Sequence, residues 1–203
     1  MNYIARLAAS FALLAGGLPA AELFVPSQYP TIQSAVDSAA DGDIITISPG
    51  TYIENIKVKG SNLTFRSIDP DNLDVRNSTR VIVAVLSSLF DFTDNSTTGE
   101  FRIQGLYLSG ASQNYGGAIY GNPELSIIIE NCTFFFCNTQ LEGGAVFNTK
   151  GIIRNSLFQE CIVSTGDATA LFTLGAAIAR FDGLIENCDF RDNVSSGISA
   201  SNN

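Results

Sequence analysis

The chain has 203 residues, 45% of them apolar and only 15% charged, with 20 acidic against 11 basic residues and a formal charge of -9. That is enough for one medium domain with a real core, and the low charge fraction favours a β-rich chain. The acidic balance excludes the basic face that nucleic acid or an anionic membrane requires. The absence of His removes His-based triads and His-ligated zinc, and the absence of Trp removes the strongest sugar-stacking side chain.

Residues 1–20 read as a secretory signal peptide. A short segment with Arg6 precedes an apolar run from Leu7 to Leu18, and Leu18-Pro19-Ala20-Ala21 supplies small residues for cleavage. The run is short for a membrane span of about 20 residues. Loss of Arg6 takes the charge to 10 minus 20, or -10. The remaining residues, 21–203, are expected to form one exported domain, without membrane insertion of the mature chain.

Next, Ile32, Ala35, Val36 and Ala39 make one apolar helical stripe, with Thr31 as N-cap after Pro30. Asp41-Gly42-Asp43 ends this helix. Strands are predicted at 44–47, 56–58 and 63–66, with turns at Ser48-Pro49-Gly50-Thr51 and Gly60-Ser61-Asn62. The helix is expected to cover the first sheet edge. Asp69-Pro70-Asp71-Asn72-Leu73-Asp74 offers oxygens to calcium, without EF-hand spacing.

The second half repeats. Ile128-Ile129-Glu130-Asn131-Cys132-Thr133-Phe134 aligns with Ile152 to Phe158 and with Leu184 to Phe190, and Arg102 to Leu108 is a weaker copy. The Asn-to-Asn spacings are 24 and 32. A glycine motif falls between copies: Gly116-Gly117-Ala118-Ile119, Gly143-Gly144-Ala145-Val146 and Gly175-Ala176-Ala177-Ile178. Short strands at such periods predict an all-β parallel β-helix with a short N-terminal capping helix, which the resemblances below imply is right-handed. In that fold Phe134, Phe158 and Phe190 stack inside. Asn131, Asn155 and Asn187 form a ladder at one turn, each amide bonding the next coil, because a buried polar turn needs such pairing. Glu130, Arg154 and Glu186 form an outward column of charges.

Two resemblances follow. Tyr29-Pro30-Thr31-Ile32-Gln33-Ser34-Ala35-Val36, Asp41-Gly42-Asp43 and Pro49-Gly50-Thr51-Tyr52-Ile53-Glu54-Asn55-Ile56 resemble the opening of pectin-lyase-like right-handed β-helix proteins, a superfamily of pectate lyases, pectin methylesterases and many non-enzymes. The Gly-Gly-Ala-Ile copies, with Phe190-Arg191-Asp192-Asn193, resemble chlamydial polymorphic-membrane-protein repeats; Cys137 and Cys161 replace the Asn in two copies. These resemblances imply a surface-exposed β-helix. The later motifs of the pectin methylesterases are absent. A lyase would hold calcium on acidic residues and use an arginine base; Asp182, Glu186, Asp189 and Asp192 with Arg154, Arg180 and Arg191 are candidate pieces.

Tyr107, Tyr115 and Tyr120 could form a sugar-stacking face. Asn-x-Ser/Thr sequons begin at Asn62, Asn77, Asn95, Asn131 and Asn193. Cys137 and Cys161 fall on neighbouring coils about 4.8 Å apart, so a disulfide between them is weighed against unbridged thiols. Cys132 and Cys188 share another slot, two coils apart. Gly197-Ile198-Ser199 begins what resembles another glycine motif without a closing cap, so the expectation is a domain truncated at that end.

No residue is assigned as catalytic, cofactor-binding or metal-binding, although calcium is a possible ligand. The expected role is non-catalytic adhesion or glycan binding in the extracellular space or at the cell surface, outer-membrane association included. The partner is a polysaccharide or a host or cell-surface molecule. A calcium-dependent lyase and a structural stalk segment are the alternatives.

Overall fold

The computed structural model describes residues 19–83, 87–93, 99–110, 112–164 and 175–196. Half of it is strand and 8% is helix. Residues 1–18, most of the expected signal peptide, lie outside the described residues, as do Asn95 and the segment Gly197-Ile198-Ser199.

β1 (Glu22–Val25) leads into α1 (Ile32–Ser38), followed by β2 (Ile44–Ile47), β3 (Gly50–Ile53), β4 (Ile56–Lys57) and β5 (Thr64–Ser67). Then come α2 (Leu73–Ser78), β6 (Thr79–Ile82), β7 (Phe90–Asp91), β8 (Glu100–Gln104), β9 (Tyr107–Ser109), β10 (Ser112–Tyr115) and β11 (Ile119–Tyr120). The regular half holds β12 (Ser126–Glu130), β13 (Thr133–Phe135), β14 (Asn138–Glu142), β15 (Val146–Arg154), β16 (Leu157–Gln159) and β17 (Ile162–Ser164). It ends with β18 (Ile178–Glu186), β19 (Asp189–Arg191) and β20 (Val194–Ser196).

The strand pairings are parallel and join each segment to the one a repeat away. Six strands run β19-β16-β13-β9-β6-β3, four run β10-β14-β17-β20, and ten form a strongly curled third sheet. The curl has a local cause. Val146 and Phe147 of β15 pair with β11, whereas Lys150 to Arg154 of the same strand pair with β12, so one nine-residue strand belongs to two ladders. The architecture is all-β and solenoid-like.

In α1, Thr31 accepts from the Ser34 backbone N–H, and Ser34 reciprocates toward the Thr31 N–H, a capping box. Ile32, Ala35 and Val36 are buried beneath. Glu54 accepts from the Ile32 and Gln33 N–H groups, both at 3.0 Å, which sets a carboxylate on the helix N-terminus. Asp43 is buried and accepts from Ala21 N (2.8 Å) and Ala40 N (2.7 Å). Tyr52 donates to the Ser48 carbonyl, and Asn55 donates to those of Ser87 and Ser88. The residues that carry the first resemblance thus tie the first repeats together.

Two local expectations change. Gly50 and Thr51, expected in a turn, begin β3, because pairing with Thr79 and Arg80 of β6 outweighs the weak strand preference of glycine. The acidic stretch at Asp69–Asp74 leads into α2: Asn72 caps it by accepting from Asp74 N and Val75 N.

The glycine motif has a steric reason. Gly116, Gly143 and Gly175 have φ of 52°, 62° and 61°. A Cβ on Gly143 would sit 2.5 Å from the Val146 carbonyl oxygen, and the other two are tighter.

Candidate functional site

Strand register builds one row of polar side chains. Arg66, Gln104, Glu130, Arg154 and Glu186 are successive partners along β5, β8, β12, β15 and β18. Their inward neighbours Phe65, Ile103, Ile129 and Ile153 are fully buried, so alternation sends the polar row outward. After each of the last four positions the chain turns through a left-handed residue: Gly105, Asn131, Asn155 and Asn187, with φ of 64°, 53°, 51° and 50°. Glycine and asparagine tolerate this conformation best.

This backbone requirement explains the asparagine slot differently from an amide ladder. The main chain makes the inter-repeat bonds: Gly105 N to Glu130 O (3.0 Å), Asn131 N to Arg154 O and Asn155 N to Glu186 O (both 3.2 Å). The Asn131 amide donates instead to Asp71 Oδ1 at 2.7 Å, and Arg76 donates to the Asn131 carbonyl. Asn155 and Asn187 are exposed, and their amides carry no hydrogen bond to another described residue. A turn side chain that faces water needs no ladder partner.

The row and turns enclose an open groove of about 500 Å³, with Pro70 and Asp71 on its far wall. Glu130 is its most buried charge, at 6% exposure. Its Oε1 is taken by Arg154 and its Oε2 by Gln104. At the groove's end Arg66 donates to Glu22 (2.7 Å) and to Thr46. Hydrogen bonds from Thr46 first, then Arg66, hold the Glu22 carboxyl below the usual carboxylate range. Arg154 and Gln104 thus hold both oxygens of Glu130, while Asn155, Asn187 and Glu186 offer donors and acceptors to a ligand.

The arginines weighed as bases are each paired. Arg154 meets Glu130, Arg180 meets Glu142 through two bonds (2.7 and 3.0 Å), and Arg191 meets Asp189. The bonds to Glu142 and Asp189 push the Arg180 and Arg191 guanidinium groups above their ordinary value. Glu186 lies in the groove, but Asp182, Asp189 and Asp192 do not line it. Among the described residues, no group of three or more Cys, Asp or Glu side chains is set to hold a metal ion.

Phe134, Phe158 and Phe190 form one stack, with ring centroids 4.5 and 5.0 Å apart. Tyr115 and Tyr120 gather on Phe147, while Tyr107 lies apart against Phe135 with Arg80 over its ring. The four cysteines are free thiols in the structure, and those of Cys137 and Cys161, weighed for a bridge, lie next to each other. Each sulfur lies against backbone carbonyls: Cys137 on Leu108 O and Phe135 O, Cys161 on Phe134 O and Gln159 O. Burial first, then the neighbouring Cys161 thiol, pushes the Cys137 thiol well up, and burial pushes Cys132 up to about 12. Of the sequon residues, Asn193 binds Cys161 N and Phe158 O, and Asn62 binds Glu100 N and Asp41. Both act as structural links between repeats.

Arg66 and Gln104 are groove residues that repeat reading missed. Reading the charge slot of the Arg102 to Leu108 copy, which aligns with Glu130, would have found Gln104, whereas nothing in the sequence points from Asp71 to Asn131. Comparison with known protein families, with curated proteins and with solved structures finds no match for this chain.

Proposed function

We propose that this chain is an exported, right-handed parallel β-helix that binds a hydroxyl-rich glycan at the cell surface or in the extracellular space, without turning it over. Parallel pairing at repeat intervals supports the finer fold, together with the resemblance of residues 29–56 and 116–193 to β-helix families. The signal-peptide pattern of residues 1–20 supports export.

The observation that carries the binding role is the groove. It presents polar side chains one strand spacing apart, about 4.8 Å, with the exposed amides of Asn155 and Asn187 on its rim. Amides and carboxylates recognise hydroxyls by exchanging donors and acceptors. Paired arginines and a net acidic lining favour a neutral chain over an anionic one.

The test is a panel of neutral and uronate polysaccharides titrated calorimetrically into the full chain, with an Asn155→Ala/Asn187→Ala variant alongside. Saturable binding to a neutral glycan that the double variant weakens supports the reading. Absence of binding by folded protein across the panel sinks it.

One observation favours a second reading as a polysaccharide lyase: the groove sets Glu130 and Glu186 beside Arg154. Release of unsaturated sugar from a uronate polymer, lost in Arg154→Gln, would establish that activity. Among the described residues, no three acidic side chains gather to hold calcium.

A further inference from the structure

We propose that Cys137 and Cys161 are a disulfide pair, and that the bond closes between neighbouring repeats while the chain folds in the presence of a small-molecule disulfide. Strand register brings the two residues together. Asn138 of β14 pairs in parallel with Ile162 of β17, and a cysteine precedes each. Ile162 N donates to the Cys137 carbonyl at 3.0 Å, so the two chains run side by side at the cysteines. Gly144 touches both: a Cβ there would sit 2.8 Å from the Cys137 carbonyl oxygen and 3.3 Å from the Cys161 Cβ. The two side chains are fully buried, thiol beside thiol. Neighbouring strands lie about 4.8 Å apart, within the roughly 4.4–6.8 Å between Cα atoms that a disulfide spans.

The same geometry leaves the other two cysteines out. Cys132 and Cys188 share a column, but Ser156 stands between them: its hydroxyl accepts from Cys132 N, and its carbonyl accepts from Asp189 N. Two strand spacings, about 9.6 Å, exceed the reach of a disulfide. Cys132 and Cys188 lie where the chain enters the β13–β16–β19 ladder, and Cys137 and Cys161 lie where it leaves. Cross-pairs are therefore a strand length apart.

The reaction is thiol–disulfide exchange. The thiolate of one cysteine attacks a sulfur of glutathione disulfide, which forms a mixed disulfide and releases one glutathione. The thiolate of the other attacks the protein sulfur of that mixed disulfide, and the second glutathione leaves. The two cysteines give up two protons and two electrons, which turn one glutathione disulfide into two glutathione thiols. Both sulfurs are shut inside once the repeats have packed, so the exchange belongs to the folding chain. The bond then joins one repeat to the next and restricts the unfolded chain. The proposal takes from the preceding one only export, which supplies an oxidising compartment; glycan binding plays no part in it.

The test uses the purified full chain, so its failure is separate from any failure of export or glycan binding. The chain is unfolded in urea with reductant and refolded by dilution into reduced and oxidised glutathione. Remaining thiols are alkylated in urea, and proteolysis with tandem mass spectrometry maps the bonds. A Cys137–Cys161 link is expected, with Cys132 and Cys188 alkylated. The oxidised chain should unfold at a higher urea midpoint than its reduced form, and Cys161→Ala should lose that difference. Folded, reduced chain held in the same buffer without urea should stay unbridged over the same time. Far-UV circular dichroism checks that each sample is folded. Links through Cys132 or Cys188, folded chain without the Cys137–Cys161 link, a bridged chain with no rise in midpoint, or equally fast bridging of the already folded chain would overturn the proposal.

Discussion

The first and last described repeats carry the same strand pairing and opposite burial. At the β1 end, α1 covers the apolar columns, Gln33 bonds the backbone of Lys57 on β4, and Asp43 and Glu54 accept from N–H groups flanking β1 and α1. At the β18 end, the side chains that fill the core elsewhere reach solvent. A ladder residue therefore has no fixed worth. Its contribution depends on whether another repeat lies above it.

The largest test of that contrast is the phenylalanine stack. Phe158→Ala removes a fully buried ring held between two others and should cost about 3–5 kcal/mol in urea denaturation followed by circular dichroism. Phe190→Ala removes the same side chain from the same column and should cost about 1–2 kcal/mol, because roughly half its surface is already wet. Equal costs would erase the difference between the two positions.

A middle-sized effect comes from the capped end. Asp43→Ala leaves the N–H groups of Ala21 and Ala40 without their acceptor and should cost about 1–3 kcal/mol. Glu186→Ala, a charge on β18 with no hydrogen bond from its carboxylate to another described residue, should stay within about 0.5 kcal/mol. Thermal melts of the two variants, side by side, give the comparison.

A separate effect is alkaline. The unfolded chain releases the Cys132 proton near pH 9, while burial keeps the folded thiol protonated to about 12. Stability is therefore intact below about pH 9 and falls as pH rises from there to about 12. Cys137 and Cys188 are pushed in the same direction by burial. Cys132→Ala should accordingly flatten the alkaline slope without abolishing it, as read from denaturation midpoints across that range. An unchanged slope would mean that Cys132 is not shielded in solution.

Much of the regular half was legible because its constraints are local and recur. An inward Phe, an outward charge and a left-handed turn residue must reappear each time the chain comes round, so aligned slots reveal them. The turn residue itself was legible and its reason was not. Asn131, Asn155 and Asn187 looked like a side-chain ladder, yet the shared demand is on φ, which Gly105 meets with no side chain. The irregular half was harder. Gly50 joins a strand because β6 lies beside it, and the helix at Leu73–Ser78 hides behind residues that also read as an acidic turn.

By itself the sequence determined the repeat, its all-β character, the capping helix and the columns of like residues, because alternation and turn chemistry act between near neighbours in the chain. Only the tertiary structure decided which polar groups meet. Asp71 reaches Asn131 across 60 residues, Glu22 reaches Arg66 across 44, and Arg180 reaches Glu142 across 38. Those outcomes rest on how far the chain travels before it returns, a distance set by packing between repeats and written in no single segment.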